Sequence, residues 1–227
     1  MTAKKKEVSS AEPLKIEVPP MEIMNISLRI VGDAPLITHK WSEKAKREIL
    51  YKQQKKAGRG KDTRYPYAEY CSAIYWLTED GQLDESLDWS TMTDDEAHYH
   101  FEEWVVNHKF GFPTIAFKAC AIDAAYQQGI IPVKTTARGA LHIQDEFAII
   151  EGTPIMREDS VKIGMGTAGL SYRPEFKEWS TTLNIKFNAR AISAEQIVNF
   201  FNVGGFANGV GEWRPSRDGR FGTFHIE

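Results

Sequence analysis

The stretch of this chain that most constrains its fold begins at residue 181. From there to residue 189, Leu183, Ile185, Phe187 and Ala189 alternate with Thr182, Asn184, Lys186 and Asn188. A period of two with one apolar side predicts a half-buried strand. Ser193 follows, with Gln196 three residues on, the pattern of a capping box, and Ile192 stands where it can staple to Ile197. Ile197, Val198, Phe200 and Phe201 give the next helix its apolar face, and Val203-Gly204-Gly205 are expected to stop it. A last strand is expected over 220–226, where Phe221, Thr223 and His225 alternate with Gly222, Phe224 and Ile226. Strand, helix, loop and strand in that order make an α+β unit.

Residues 24–31 begin a similar unit. Ile26, Leu28 and Ile30 alternate with Asn25, Ser27 and Arg29, and Gly32-Asp33 and Pro35 punctuate the end. Ser42 is positioned to cap a helix over 43–57, with Glu43 and Glu48 early and Lys52, Lys55 and Lys56 late, as the helix dipole favours. Two strand-to-helix units, one from 24 and one from 181, predict an α+β fold: a ferredoxin-like, RRM-like antiparallel sheet with helices on one face. Between them, the alanine-rich run 116–126 predicts a helix packed closely on a sheet. Residues 140–150 read as one bent strand or two short ones, and 155–172, with Gly164, Gly166 and Gly169, as a loop or a long hairpin.

Charge is laid out unevenly. The chain carries 28 Lys+Arg and 31 Asp+Glu, a net charge of -3 over 227 residues, which excludes a histone-like polycation. Residues 1–64 nevertheless hold 15 basic and 8 acidic side chains, and 65–104 hold 11 acids with no Lys or Arg. Local patches therefore decide whether the chain meets a polyanion. The acidic run is also aromatic and poorly periodic. It predicts an irregular insertion with short helices, its aromatics anchoring it to the main body, and its acids either solvated or facing a basic partner. The expected division is a flexible arm at 1–20 and one α+β domain at 21–227, with 58–110 an insertion or lobe and 58–64 a mobile basic loop. A composition of 42% hydrophobic and 11% aromatic residues excludes a disordered chain. No run approaches the about 18 apolar residues of a membrane span. The basic start at 1–6 is followed by charges and prolines instead of an apolar core, so the expectation is a cytoplasmic protein.

The segment 204–222 holds six glycines and three arginines. Gly204, Gly205, Gly209, Gly211 and Gly219 permit positive φ and let a backbone come close to a partner. Arg214, Arg217 and Arg220 offer planar donor forks suited to phosphate, and Trp213 beside them offers a stacking surface. The plainer reading is a glycine-rich turn between the last helix and strand, its arginines solvated. Lys134 and Arg138, set among Thr135, Thr136 and Gly139, form a second basic group, which is also ordinary loop composition. Lys118 opens the alanine-rich helix. Neither a P-loop nor a dinucleotide fingerprint is present, because the glycines follow a helix and precede a strand.

His98-x-His100 can line one face of a strand, but with His108 it matches no standard ligand spacing, so no metal and no cofactor are expected. Cys71 and Cys120 stand far apart without a CxxC and are expected as reduced, buried thiols. No catalytic residue is expected; in an enzymatic alternative, His39-Lys40, just after the first strand, is where a general acid or base would act.

Three patches resemble the RAMP superfamily, and within it the Cas7-like backbone subunits of CRISPR complexes. They are Ile26-Ser27-Leu28-Arg29-Ile30 followed by Ala34-Pro35-Leu36-Ile37-Thr38-His39, the run from Phe112-Pro113-Thr114 to Cys120, and Gly209-Val210-Gly211 through Gly219-Arg220-Phe221-Gly222. The resemblance implies an RRM-like core with insertions, a glycine-rich loop late in the chain, and a role in antiviral assemblies. It also implies that Lys118, Lys134, Arg138, Arg214 and Arg220 help hold single-stranded RNA. The acidic stretch 65–104 and the Trp/Arg-rich loop depart from the family pattern.

The resulting expectation is a non-catalytic subunit that binds single-stranded RNA or single-stranded DNA, RNA favoured, and assembles with copies of itself or other subunits, with no membrane partner. The alternatives are a metal-independent endoribonuclease using His39, and a phage or accessory structural protein whose acidic lobe docks on a basic partner. The nucleic-acid reading requires residues near 118, 134–138 and 214–220 to converge into one positive groove.

Overall fold

Leu28 and Ile30 sink into the interior while Asn25 stays in solvent, so the first alternating run behaves as its period demands. The computed structural model describes residues 20–54, 63–163 and 167–227, so all but the last residue of the expected arm at 1–20 and most of the expected basic loop at 58–64 lie outside the described residues. In chain order the elements are β1 (Ile23–Gly32), β2 (Leu36–Ile37), α1 (Glu43–Gln53), α2 (Pro66–Ser72), β3 (Tyr75–Leu77), α3 (Asp94–Asn107) and β4 (Lys109–Pro113). They continue with α4 (Thr114–Gln127), α5 (Lys134–Ala140), β5 (Leu141–Ile143), β6 (Phe147–Ile150), β7 (Pro154–Ile163), β8 (Thr167–Phe176), β9 (Ser180–Asn188), α6 (Ala194–Ala207) and β10 (Phe224–Ile226). Short 3-10 turns cover Trp89–Thr91 and Pro215–Arg217. The chain is α+β, with helices and antiparallel sheets.

The main sheet has the order β10-β1-β9-β5, and every neighbouring pair is antiparallel. Leu183, Ile185 and Phe187 of β9 are buried beneath α4 and α6, while Thr182, Asn184 and Lys186 on the opposite face are exposed. The capping box at Ser193 and Gln196 forms as the spacing predicts. The core that holds Leu28 and Ile30 of β1 takes in residues of α4 and α6 and none of the described residues of α1. The expected pairing of the first strand with the helix after Ser42 is therefore replaced by packing with helices much further along. Periodicity reports what an element buries but not which partner buries it.

Two further expectations change. Gly204 and Gly205 do not end α6, which runs on to Ala207. A Cβ at Gly204 would lie 2.8 Å from the Cα of Ala121, and one at Gly205 would overlap the carbonyl of Phe224. These glycines let α4 and β10 press against the helix, which outweighs their roughly 1 kcal/mol cost inside it. The last strand shortens to Phe224–Ile226, because Gly222 takes φ +67 and its N–H bonds to the Pro35 carbonyl at 2.8 Å. Of the two readings of 155–172, the long hairpin is the one that forms: two ten-residue strands, β7 and β8, pair and join β2 in a second sheet.

The aromatic, acidic region is more regular than its sequence suggests. It contains the 14-residue α3, started by a capping box between Thr93 and Glu96. His98 and His100 therefore lie on a helix, and His98 stacks on Tyr67. Tyr70, Trp76 and Trp89 are buried in a second core of their own, joined by Tyr67, Phe101 and Trp104, with Phe110 and Tyr172 leading back toward the main body. Trp76 stacks on Trp89 with ring centres 5.5 Å apart, and Trp104 meets both edge-on. His108 stacks flat on Trp104 and reaches Asp84 at 3.0 Å. The acids of this region meet basic residues on either side: Lys40 and Lys46 on Glu85, Arg47 on Asp88, Arg64 on Glu69 and Lys109 on Glu79. These are largely surface pairs, each worth under about 1 kcal/mol, so the aromatic packing dominates. Trp76→Ala is expected to cost about 3–5 kcal/mol in urea unfolding. A loss below about 1 kcal/mol would show that the second core does not hold this region together.

Candidate functional site

Backbone geometry alone sets one wall of a cleft. The N–H of Glu212 bonds to the Ile37 carbonyl at 2.9 Å, that of Val210 to Gly222 at 2.9 Å, and that of Phe221 to Trp213 at 3.1 Å. The 208–222 segment is thereby laced to itself and to β2. Gly211, at φ +79, lets the chain pass against the Ile37 carbonyl, where a Cβ would stand 2.5 Å away. Trp213 adopts φ 52, which side-chain-bearing residues rarely take. Gly219 lies beneath it, where any Cβ would overlap the Trp213 carbonyl.

The opposite wall is one face of α4. Ala116, Ala119, Cys120, Asp123 and Gln127 recur at helical spacing, and Phe112-Pro113 lead into it. Thr114 fixes the helix start, its N–H bonding to Glu146 and its hydroxyl to Asp145. Tyr75 and His39 complete the lining of a cleft of about 450 Å³, together with Asn208, Gly209, Glu212, Arg214 and Arg217. A second recess of about 380 Å³ is lined by Glu212, Trp213, Arg214 and Arg217, so Glu212, Arg214 and Arg217 form a wall common to both and Trp213 belongs to the second.

The two arginines on that wall stand differently. Arg214 donates to Ser216 Oγ at 3.0 Å and to the Gly211 carbonyl at 2.8 Å. Both acceptors are neutral, so its positive charge is not cancelled. Arg217 is exposed and has no carboxylate partner among the described residues. Trp213 is 42% exposed beside them.

The other expected residues converge only in part. Lys134 pairs with Asp123 at 2.9 Å and Arg138 approaches the same oxygen at 3.7 Å, so the second basic group meets the cleft through a carboxylate that it neutralises. It lies on a helix, α5, instead of a loop. Lys118 turns to the Arg138 carbonyl at 2.9 Å, and burial together with the Arg138 charge lowers its pKa. Arg220 does not line the cleft. Its guanidinium lies over the Phe221 ring, which Arg157 also covers. The single groove expected from sequence thus resolves into the Arg214–Arg217 wall with Lys134 and Arg138 at one rim.

Burial sets the acid–base character of the cleft. His39 is held below its ordinary value of 6.5, first by burial and then by the Arg173 charge, with Glu212 partly opposing. It is neutral at pH 7. The Cys120 thiol is pushed up to about 12 by burial and donates to the Gly204 carbonyl, so it supplies no thiolate. Cys71 is raised further, again by burial. Among the described residues no cluster of His, Cys, Asp or Glu could hold a metal ion, and no helix is long and apolar enough to cross a membrane. Sequence reasoning passed over Glu212, Asp123, Tyr75 and Phe112. The available signal for Glu212 was an acid set directly before Trp213-Arg214 in an arginine-rich segment.

No family model matches the chain, and no curated protein matches it. Solved structures do match, among them the crystal structure of Cmr6 from Pyrococcus furiosus. The identity is 11%, the match covers 92% of this chain and 100% of that one, and the TM-score is 0.31, at which the likeness carries no argument about this chain.

Because folding lowers the His39 pKa, the unfolded chain takes up its proton near 6.5 while the folded one still resists it. Stability is therefore complete above that value and falls as pH drops below it. Urea unfolding across this window is expected to show a decline that His39→Gln reduces. An unchanged slope would show that His39 is not the group responsible.

Proposed function

We propose that this chain is a non-catalytic subunit that binds single-stranded nucleic acid, RNA favoured, within an oligomeric assembly of the RAMP, Cas7-like kind. The observation that carries this reading is the Arg214–Arg217 wall. It offers two guanidiniums with no carboxylate partner, on a loop whose backbone is tied down, with an exposed indole beside them. Arginine forks grip phosphate oxygens and an indole stacks on any base, which together suit a single strand. The order β10-β1-β9-β5 with α4 and α6 over one face supports a ferredoxin-like sheet, the core that the sequence resemblance implies. In this reading residues 21–227 are one domain, 58–110 are an insertion into it, and Lys134 and Arg138 extend the positive rim.

Binding to short RNA, single-stranded DNA and duplex DNA, titrated with salt, tests the proposal. Single strands are expected to bind more tightly than duplex. Arg217→Ala is expected to weaken every strand alike and lower the salt slope by about 0.7. If neither RNA nor single-stranded DNA binds at low salt, the proposal fails and a purely structural role takes its place.

A second reading has one observation in its favour: His39 is neutral and lines the same cleft, where an acid or base of an endoribonuclease would stand. It requires RNA cleavage without added metal that His39→Ala abolishes. Binding with no cleavage removes it.

A further inference from the structure

The cleft carries two kinds of charge, and only one suits a phosphate. Glu212 lies on the same wall as Arg214 and Arg217, and its backbone is fixed by the bond to Ile37. Among the described residues its carboxylate takes part in no ion pair and no hydrogen bond, unlike Asp123, which Lys134 neutralises. It lines the cleft together with His39 and Tyr75. The opposite wall is apolar at Phe112, Pro113, Ala116 and Ala119, and carries Asp123 and Gln127 further along α4. A phosphate placed there would meet a like charge and lose its hydration over an apolar wall. A nucleobase has the opposite needs, with flat faces that favour apolar contact and polar groups confined to its edge.

A carboxylate accepts hydrogen bonds and donates none. Guanine presents two adjacent donors, N1–H and N2–H, which match the two carboxylate oxygens. Adenine and cytosine offer one amino donor beside an acceptor, and uracil one N–H between two carbonyls. Resting on the single-strand reading above, we propose that the cleft takes one unstacked base, guanine by preference. Its Watson–Crick edge donates to Glu212 while the adjoining phosphate lies on Arg214 and Arg217. Glu212 is then a specificity-determining residue, and Trp213 in the neighbouring recess offers its face to the next base. The common wall of the two recesses becomes the point where the strand turns.

The test uses the full-length protein and short oligouridine strands in which one central position is uridine, adenosine, cytidine, guanosine or inosine, at one fixed salt concentration. Guanosine is expected to bind about tenfold more tightly than uridine. Inosine lacks the N2 amino group and is expected to lose most of that gain, which probes the contact without altering the protein. Glu212→Gln is expected to bring the guanosine-to-uridine ratio close to one. Equal affinity for all five strands, with binding retained, overturns the guanine site and leaves the single-strand reading standing. A preference that survives both inosine and Glu212→Gln assigns the discrimination to other groups and overturns it too. Absence of binding to every strand overturns both readings.

Discussion

The lacing of residues 208–222 onto β2 and the Pro35 that leads toward it is the constraint on which the cleft depends. Its anchors are backbone bonds from Glu212 to Ile37 and from Gly222 to Pro35. Ile37 is itself placed by β2 pairing with β8, where it stands opposite Glu175. A loop rich in glycine would ordinarily lose much entropy on becoming ordered. Here the small residues are what allow backbone to reach backbone, and the bonds formed there offset that loss. Glu212, Trp213 and Arg214 thereby have a fixed main chain, and the Arg214 guanidinium is held further by Ser216 and the Gly211 carbonyl.

The two cores divide the work of folding. The main core lies between the sheet and the paired helices α4 and α6, where Gly204 permits an approach that a side chain would block. The second core is aromatic and sits where the chain carries its excess of acid. Acidic side chains on its surface meet basic ones from 40–47, 64 and 109, so the strong imbalance along the sequence is reduced in space. The cleft draws on both regions: Tyr75 comes from β3 beside the aromatic core, and α4 supplies the facing wall.

Much of the main sheet was legible. The runs at 24–31 and 181–189, the alanine-rich helix and the capping box at Ser193 are local patterns, and each forms within one or two residues of its expected bounds. The region 65–110 was not legible. Its aromatics pack in several directions around Trp76, so no single period marks the buried side. Of the candidate site, Arg214, Arg217, Gly209, Gly211 and His39 do line one cleft, whereas Lys118 and Arg220 turn elsewhere. Residue type tells what a side chain can bind but not whether a neighbouring carbonyl or ring already holds it.

Local chemistry along the chain decided which segments become strands and helices, because alternation, capping and helix composition act over a few residues. Which helix covers the first strand, why two glycines sit inside a helix, and which cations remain uncancelled were decided only when distant segments met. These depend on close approach between α4, α6 and β10 and on bonds joining 35–37 to 210–222, contacts whose partners lie far apart in the sequence.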